Sequence, residues 1–165
     1  MGRETGRAAA VFEHPAYQRE FLPLQEAEKD RKFCRHTLEH FLDVARLTWI
    51  LCLEEKCEID REQIYAAALL HDLGRYRQIS EGIPHEKASV MLAKEILPDC
   101  GFTQGEIGKI TEAIDAHRGS GERTENSRLA ELLYKADKLS RNCFACPASG
   151  ECNWNEEKKN HRIIL

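Results

Sequence analysis

The stretch Ala68-Leu69-Leu70-His71-Asp72-Leu73-Gly74-Arg75 carries the strongest signal in this chain. An apolar helical segment ends here in an adjacent histidine and aspartate, and a glycine follows closely. Two such side chains at a buried helix end are costly unless a cation neutralises them. Because imidazole and carboxylate ligands together bind divalent metals, the pair predicts a metal site.

Helical spacing places further ligand-type residues on the apolar faces of other segments. A single buried histidine is usually just a hydrogen-bonded core residue. Several helices that each present a ligand-type residue to the core favour one shared metal centre instead, because unpaired buried carboxylates are costly. The candidates, one for each helix, are His40, His71, His85, His117 and Asp137.

The apolar pattern is helical nearly throughout, and no stretch alternates as a strand does. It predicts an all-α, single-domain helical bundle over residues 13–141, with boundaries set by proline and glycine. Residues 1–12 lack periodicity and are predicted to be disordered. Residues 142–165 are predicted to form a short, irregular, cysteine-bearing tail packed on the core. The predicted helices cover about 15–21 (stopped by Pro23), 24–56, 60–73 (with Asp60 as N-cap), 85–97, 103–117 and 126–141, with loops at 82–84 and 119–121.

Composition narrows the class of protein further. A chain of 165 residues, of which 32% are charged, fits one domain with a sizeable core and is not that of a membrane protein. The net charge of −4 makes nucleic-acid binding driven by overall charge a poor explanation. The first apolar run is too short for a signal-peptide core, so a cytoplasmic location is predicted. Oligomeric state stays open.

The ligand-type residues, taken with their neighbours, resemble the HD-domain metal-dependent phosphohydrolase superfamily. Its pattern is a histidine in an early helix, an adjacent His-Asp pair and a distant aspartate. Here these are His40 in His-Phe-Leu-Asp-Val-Ala-Arg, His71-Asp72 in Leu-Leu-His-Asp-Leu-Gly-Arg, and Asp137 in Tyr-Lys-Ala-Asp-Lys. The resemblance covers about residues 30–141 and implies an HD-type helical bundle.

Two more histidines extend this resemblance. Some members of the superfamily add two histidines before the last aspartate and hold two metals; His85 in Pro-His-Glu-Lys-Ala and His117 in Ala-Ile-Asp-Ala-His-Arg stand in the matching places. In this the chain is similar to the bacterial HD-domain diadenosine tetraphosphate hydrolases, which carry a binuclear site. The resemblance implies one or two divalent ions (Fe, Mn, Zn or Mg), bridged by Asp72. His40, His71 and Asp137 would then bind on one side, and His85 and His117 on the other.

Such a site activates water for attack on phosphorus. We therefore expect hydrolysis of a phosphate ester or anhydride of a small molecule, with a nucleotide preferred. Asp72 is the expected catalytic centre. Arg75, Lys138 and Arg118 lie next to ligands and would either hold a phosphate or be solvated surface charges. One alternative is a mononuclear site in which His85 and His117 are only core residues. Another is a non-catalytic HD-fold module that binds a nucleotide or acts as a regulator.

His36 allows two interpretations. It lies one helical turn before His40 and on nearly the same face. It would either hydrogen-bond a ligand or the substrate, or be a plain histidine on a helix surface.

The tail carries a second metal-binding pattern, Cys143-x2-Cys146-x5-Cys152. Three cysteines of this kind start a zinc or iron–sulfur site and need a fourth ligand. Cys34 is the preferred fourth ligand. It lies six residues before His40, and Cys143 lies six residues after Asp137. If the helices of His40 and Asp137 run antiparallel with these two residues facing, Cys34 and Cys143 lie at the same end. His161 is the alternative fourth ligand. The competing interpretation is that the tail cysteines are free and the tail is loose. The other cysteines, Cys52, Cys57 and Cys100, lack ligand spacing and are predicted to be small apolar residues.

Overall fold

The computed structural model describes residues 6–118 and 127–163. Within them the structure contains no strand, which confirms the predicted all-α fold. None of the helices in these ranges is both long enough and apolar enough to span a bilayer. The helices are α1 (Arg7–Glu13), α2 (Pro15–Ala27), α3 (Leu38–Glu54), α4 (Arg61–Leu70), α5 (Arg75–Glu81), α6 (His85–Ile96), α7 (Gln104–Ala116) and α8 (Arg128–Leu139), followed by 3₁₀ turns at Cys143–Ala145 and Ser149–Glu151.

Helix α4 is the centre of the bundle. It packs against α1, α3, α6, α7 and α8. Its run Ala66, Ala67 and Ala68 is fully buried, and alanine side chains let neighbouring helices approach closely from several sides. The Tyr17 hydroxyl donates a hydrogen bond of 3.0 Å to the Leu69 carbonyl near the end of α4. The central helix therefore delivers the His71-Asp72 pair into the core.

Four predicted helices match observed ones, and their ends have identifiable caps. The Asp60 carboxylate accepts from the backbone N–H groups of Glu62 and Gln63, as a helix N-cap does. Thr103 and Glu106 form a reciprocal capping box at the start of α7. The four matches are α4, α6, α7 and α8, with α4 ending three residues earlier than expected, at Leu70.

The prediction of one helix over residues 24–56 is wrong. Helix α2 runs on through Pro23 to Ala27, and α3 begins only at Leu38. Burial of Leu24 on the apolar face of α2 outweighs the hydrogen bond that Pro23 removes. After α2, the Glu28 carboxylate accepts from the backbone N–H of His36 at 2.7 Å, which folds the segment between them into a loop.

The prediction of disorder over residues 1–12 also fails for the part that the structure describes. Residues 7–12 belong to α1, because Val11 is fully buried and the backbone N–H of Ala8 donates to the Glu62 carboxylate at 2.7 Å. Residues 1–5 lie outside the described ranges, as does the loop expected at 119–121. Helix α5 was not predicted; it is held by Arg77, which donates to the buried carboxylate of Glu20 on α2.

Gly74 allows α6 to lie against the turn that follows the His-Asp pair. A Cβ atom at this position would come 2.3 Å from the His85 carbonyl oxygen and 2.6 Å from the Ser89 nitrogen. Because both are backbone atoms, neither can move away cheaply. The Gly74 N–H also donates to the Ser89 hydroxyl at 2.9 Å. Glycine here thus brings the start of α6, with His85, next to Asp72.

The tail after α8 follows an irregular path along the ends of α3 and α8. The Asn160 amide donates to the carbonyls of Lys138 and Arg141, at 2.8 and 2.7 Å. Lys32 and Glu151 form an ion pair between the loop before α3 and the tail. These bonds place residues 142–163 beside the end of the bundle that carries the candidate site.

Candidate metal centre

The six HD-type ligand candidates converge at one place in the core. They form two groups in which every ligand atom lies within 4.8 Å of the others, and Asp72 belongs to both. All six are buried, with 8% exposure or less. The first group is His40, His71, Asp72 and Asp137, and the second is Asp72, His85 and His117.

The first group surrounds one oxygen from each of two carboxylates. Asp137 Oδ1 lies 3.4 Å from His40 Nε2 and 3.6 Å from His71 Nε2. Asp72 Oδ2 lies 3.2 Å from the same His71 nitrogen. His40 Nε2 also accepts a hydrogen bond of 3.1 Å from Arg141. The donor set of imidazole nitrogens and carboxylate oxygens suits a divalent transition metal.

The second group lies against the other oxygen of Asp72. Asp72 Oδ1 is 3.1 Å from His85 Nε2 and 3.4 Å from His117 Nε2. The two imidazole nitrogens are 3.3 Å apart. Asp72 therefore turns one oxygen toward each group.

Helix ends fix the orientation of two of the histidines. His71 and His117 are the C-cap residues of α4 and α7, and each Nδ1–H donates to a carbonyl three residues earlier, at 2.6 and 2.5 Å. These carbonyls belong to the last turns of the two helices, and that of Ile114 also accepts from the backbone N–H of His117. With the proton on Nδ1, the Nε2 lone pair of each ring faces the cluster. His71 Nε2 has no hydrogen-bond partner although it is buried, as expected of an atom placed for a metal.

The electrostatics of the cluster favour a bound cation. Burial lowers the pKa of His40 to about 4 and also lowers that of His85. Burial opposes a charge on His71 too, but the carboxylates of Asp72 and Asp137 outweigh it and raise its pKa to about 10. Burial likewise opposes ionisation of the two aspartates, yet the surrounding imidazoles hold their pKa values well below the ordinary range. Two ionised carboxylates among imidazole nitrogens form a set of donors that fits divalent ions.

Sequence reasoning missed Glu28 and left the role of His36 open. Both are 4% exposed, and the His36 Nδ1–H donates to the Glu28 carboxylate at 2.8 Å. His36 Nε2 lies 3.5 Å from Asp72 Oδ2, so the ring connects Glu28 to the Asp72 carboxylate. Burial opposes the charge of Glu28, but its bonds to His36 lower its pKa overall. No local pattern marks Glu28, because its role depends on the break between α2 and α3.

The opening above the cluster is strongly basic. A cavity of about 130 Å³ leads to Asp72, His117 and Asp137. Of the predicted phosphate-holding residues, Arg75 Nε lies 3.3 Å from Asp72 Oδ1 and Lys138 Nζ lies 3.0 Å from Asp137 Oδ2. The cations that line this cavity are Arg31, Arg75, Arg118, Lys138 and Arg141.

The tail cysteines meet Cys34 in a second cavity beside the first. This cavity, of about 330 Å³, is lined by Cys34, Cys143, Cys146 and Cys152. His161, the alternative fourth ligand, instead has its Nε2 2.8 Å from the Glu156 carbonyl. Cys52 and Cys100 lie in the hydrophobic core and Cys57 packs against it.

The fold and the site define a class, the metal-dependent phosphohydrolases of the HD type. The family model for the HD domain matches residues 37–142, and the chain belongs to this family. It is 48% identical over 136 residues to an uncharacterized protein of Clostridium beijerinckii, a match that covers 82% of this chain and 84% of the relative. A crystal structure described as a predicted HD superfamily hydrolase, from an uncultured Thermotogales bacterium, aligns with a TM-score of 0.62 at 27% identity. That alignment covers 90% of this chain and 84% of the other.

Proposed function

We propose that this protein hydrolyses a phosphate ester or anhydride of a nucleotide at a binuclear metal site. The observation that carries the proposal is Asp72, whose two oxygens face two separate groups of histidine nitrogens. A single-ion site has no use for the second group. Ions bound there would lower the pKa of a coordinated water and neutralise phosphoryl oxygens.

The charge around the opening supports a substrate with several phosphate charges. The chain as a whole carries a net charge of −4, yet five cations line this cavity. Arg75 and Lys138 stand directly beside the bridging and terminal carboxylates and would orient the phosphate that reacts. This concentration of positive charge in one cavity favours a phosphorylated small molecule over a neutral one.

An aromatic ring at the same opening supports a nucleotide. Trp154 lines the cavity, and its ring centroid lies 5.4 Å from Lys138 Nζ. An indole face offers a stacking surface for a base, while the adjacent ammonium group binds the phosphates. The cytoplasmic location stays a prediction.

The proposal is tested by turnover and metal content of the full chain with Mn²⁺, Fe²⁺, Zn²⁺ or Mg²⁺. The substrates are a nucleoside monophosphate, a dinucleoside polyphosphate and a generic phosphodiester. We expect Asp72→Ala to abolish turnover and lower metal content while the helical circular-dichroism signal persists. His161→Ala changes an exposed histidine outside the cluster and serves as the matched control.

The second group is tested separately with His117→Ala. In a binuclear site this variant lowers the bound Mn²⁺ from about two ions to about one for each chain. Unchanged metal content would show that His85 and His117 are only core residues and that the site is mononuclear. Tight nucleotide binding without turnover under any metal would identify a binding module, and full activity of the Asp72 variant would refute the site itself.

A further inference from the structure

The four cysteines around the second cavity come from two distant parts of the chain. Cys34 lies in the loop before α3, whereas Cys143, Cys146 and Cys152 lie after α8. None of them is in a disulfide. They are all half-buried and line one cavity, so the fold brings four thiols to face a common space.

We propose that Cys34, Cys143, Cys146 and Cys152 bind a second metal centre, an iron–sulfur cluster, next to the HD site. Four cysteines are the ligand set both of structural zinc and of iron–sulfur clusters. The site is independent of the phosphohydrolase proposal, since it shares none of the six HD ligands.

The spacing of the sulfurs favours a cluster over a single ion. A tetrahedral zinc with Zn–S bonds of about 2.3 Å holds its sulfurs about 3.8 Å apart. In the described part of the chain, the sets of ligand atoms within 4.8 Å of one another are the two His/Asp groups, and the cysteines form no such set. They instead line a cavity of about 330 Å³. The wide separation of the sulfurs suits a centre of several atoms better than one ion.

Cations at the cavity complement thiolate ligands. Arg35, Arg141 and Lys159 line it together with Glu39 and Asp43, and Lys159 is only 8% exposed. Glu156 chiefly raises the pKa of Lys159, and Cys152 and Cys143 contribute to the same shift. Burial and the three tail cysteines raise the pKa of Cys34, against the effect of Arg141. A metal that binds here would release the thiol protons and leave a negative charge beside these cations.

The cysteine site lies next to the entrance cavity of the HD site and shares residues with it. Cys34, Arg141 and Trp154 line both cavities. A centre held by Cys34 and the tail would therefore fix Trp154 and Arg141 at the entrance for the substrate. The tail is also attached through hydrogen bonds of Asn160 and the ion pair of Lys32 with Glu151.

The test uses the full chain, purified without oxygen and reconstituted either with ferrous iron and sulfide or with zinc. Iron, zinc and acid-labile sulfide are measured for each chain, together with visible absorption. We expect iron and sulfide in equal amounts with sulfur-to-iron charge-transfer absorption. Cys34→Ser and Cys146→Ser should both lose this absorption, whereas Cys57→Ser and Asp72→Asn should keep it.

Each outcome decides the proposal. Loss in Cys146→Ser but not in Cys34→Ser would overturn the four-cysteine assignment. One zinc for each chain, without sulfide, would overturn the cluster and leave a zinc site at the same cysteines. If all bound metal is lost in Asp72→Asn, no second centre exists and the proposal is overturned.

Folding of the variants is checked by circular dichroism and by Mn²⁺ binding at the HD site, which should be retained. Thiol alkylation measures the accessibility of the cysteines in the wild-type chain. The four cavity cysteines should be protected in the reconstituted protein and become reactive after chelation. Equal reactivity in both states would contradict the proposal.

Discussion

Glu28 orients a residue of the candidate site without touching the six ligands itself. Its carboxylate accepts from both the backbone N–H and the Nδ1–H of His36. The ring is thereby held with Nε2 facing Asp72 at 3.5 Å. Partners of metal ligands set the orientation and basicity of those ligands. At the residue scale, Glu28 and His36 therefore support the Asp72 carboxylate at the oxygen opposite the one that faces His85.

We predict that His36→Ala weakens Mn²⁺ binding and turnover by about 10- to 100-fold, because Asp72 loses a partner that holds its carboxylate in place. Glu28→Gln keeps an oxygen acceptor but removes the charge, so its effect should be smaller. The measurement is Mn²⁺ titration together with steady-state turnover of both variants. His161→Ala is the control, and wild-type metal affinity in His36→Ala would show that His36 is only a packed core residue.

At the scale of elements, α1 is attached to the bundle through its first residue. Arg7 donates to both oxygens of Glu106, at 3.0 and 2.8 Å. Glu106 in turn completes the capping box of α7 with Thr103. One carboxylate thus caps one helix and attaches another, so its ionisation state affects two elements together.

The stability that Glu106 provides should depend on pH. Its hydrogen bond with Arg7, and that with the Thr103 backbone, lower its pKa from 4.5 to about 2. A lowered folded-state pKa means that the stabilisation is complete above pH 4.5 and is lost as the pH falls toward 2. Glu106→Gln should therefore cost about 1 kcal/mol at neutral pH, and the difference from wild type should shrink in acid.

Denaturant unfolding of wild type and Glu106→Gln at several pH values measures this difference. The same comparison is made in an Arg7→Met background, because without the arginine Glu106 has lost its main partner. The cost of Glu106→Gln should be smaller in that background. A cost that stays constant from neutral pH to acid would show that the ionised carboxylate is not the source of the stabilisation.

At the scale of the whole molecule, the candidate centre connects most of the bundle. Its ligands come from α3, α6 and α8 and from the ends of α4 and α7. A metal that binds only the folded arrangement stabilises the entire fold by mass action. Metal binding and global stability should therefore rise together.

We predict that each Mn²⁺ ion bound, with Mn²⁺ added to metal-free protein at about 100 times its Kd, stabilises the fold by about 2.7 kcal/mol. For a chain of this length this corresponds to a rise in Tm of roughly 5–10 °C. Thermal melts with and without Mn²⁺ measure the effect. Asp72→Asn should remove most of the rise, whereas Cys146→Ser should keep it. A rise of equal size in Asp72→Asn would place the stabilising ion elsewhere.

Much of the fold was predictable where local signals agree. The helical period, the Asp60 cap and the Pro84 and Pro98 boundaries gave α4, α6 and α7 nearly to their ends. The break before α3 was not predictable. It depends on Glu28 folding back onto the backbone of His36, a contact that no helical period reveals. The helix at residues 7–13 was also not predictable from the sequence, because its stability comes from burial of Val11 and from contacts with Glu62 and Glu106 on other helices.

The sequence by itself determined the helical class and the identity of the HD residues, because periodicity and the adjacent His-Asp pair are local properties. The family resemblance implied how those residues divide around Asp72, but only the tertiary structure gives the distances and places Cys34 rather than His161 beside the tail cysteines. It also decided that Glu28 and His36 support the site. Each of these depends on distances between residues far apart in the chain, which helix packing sets and local sequence does not.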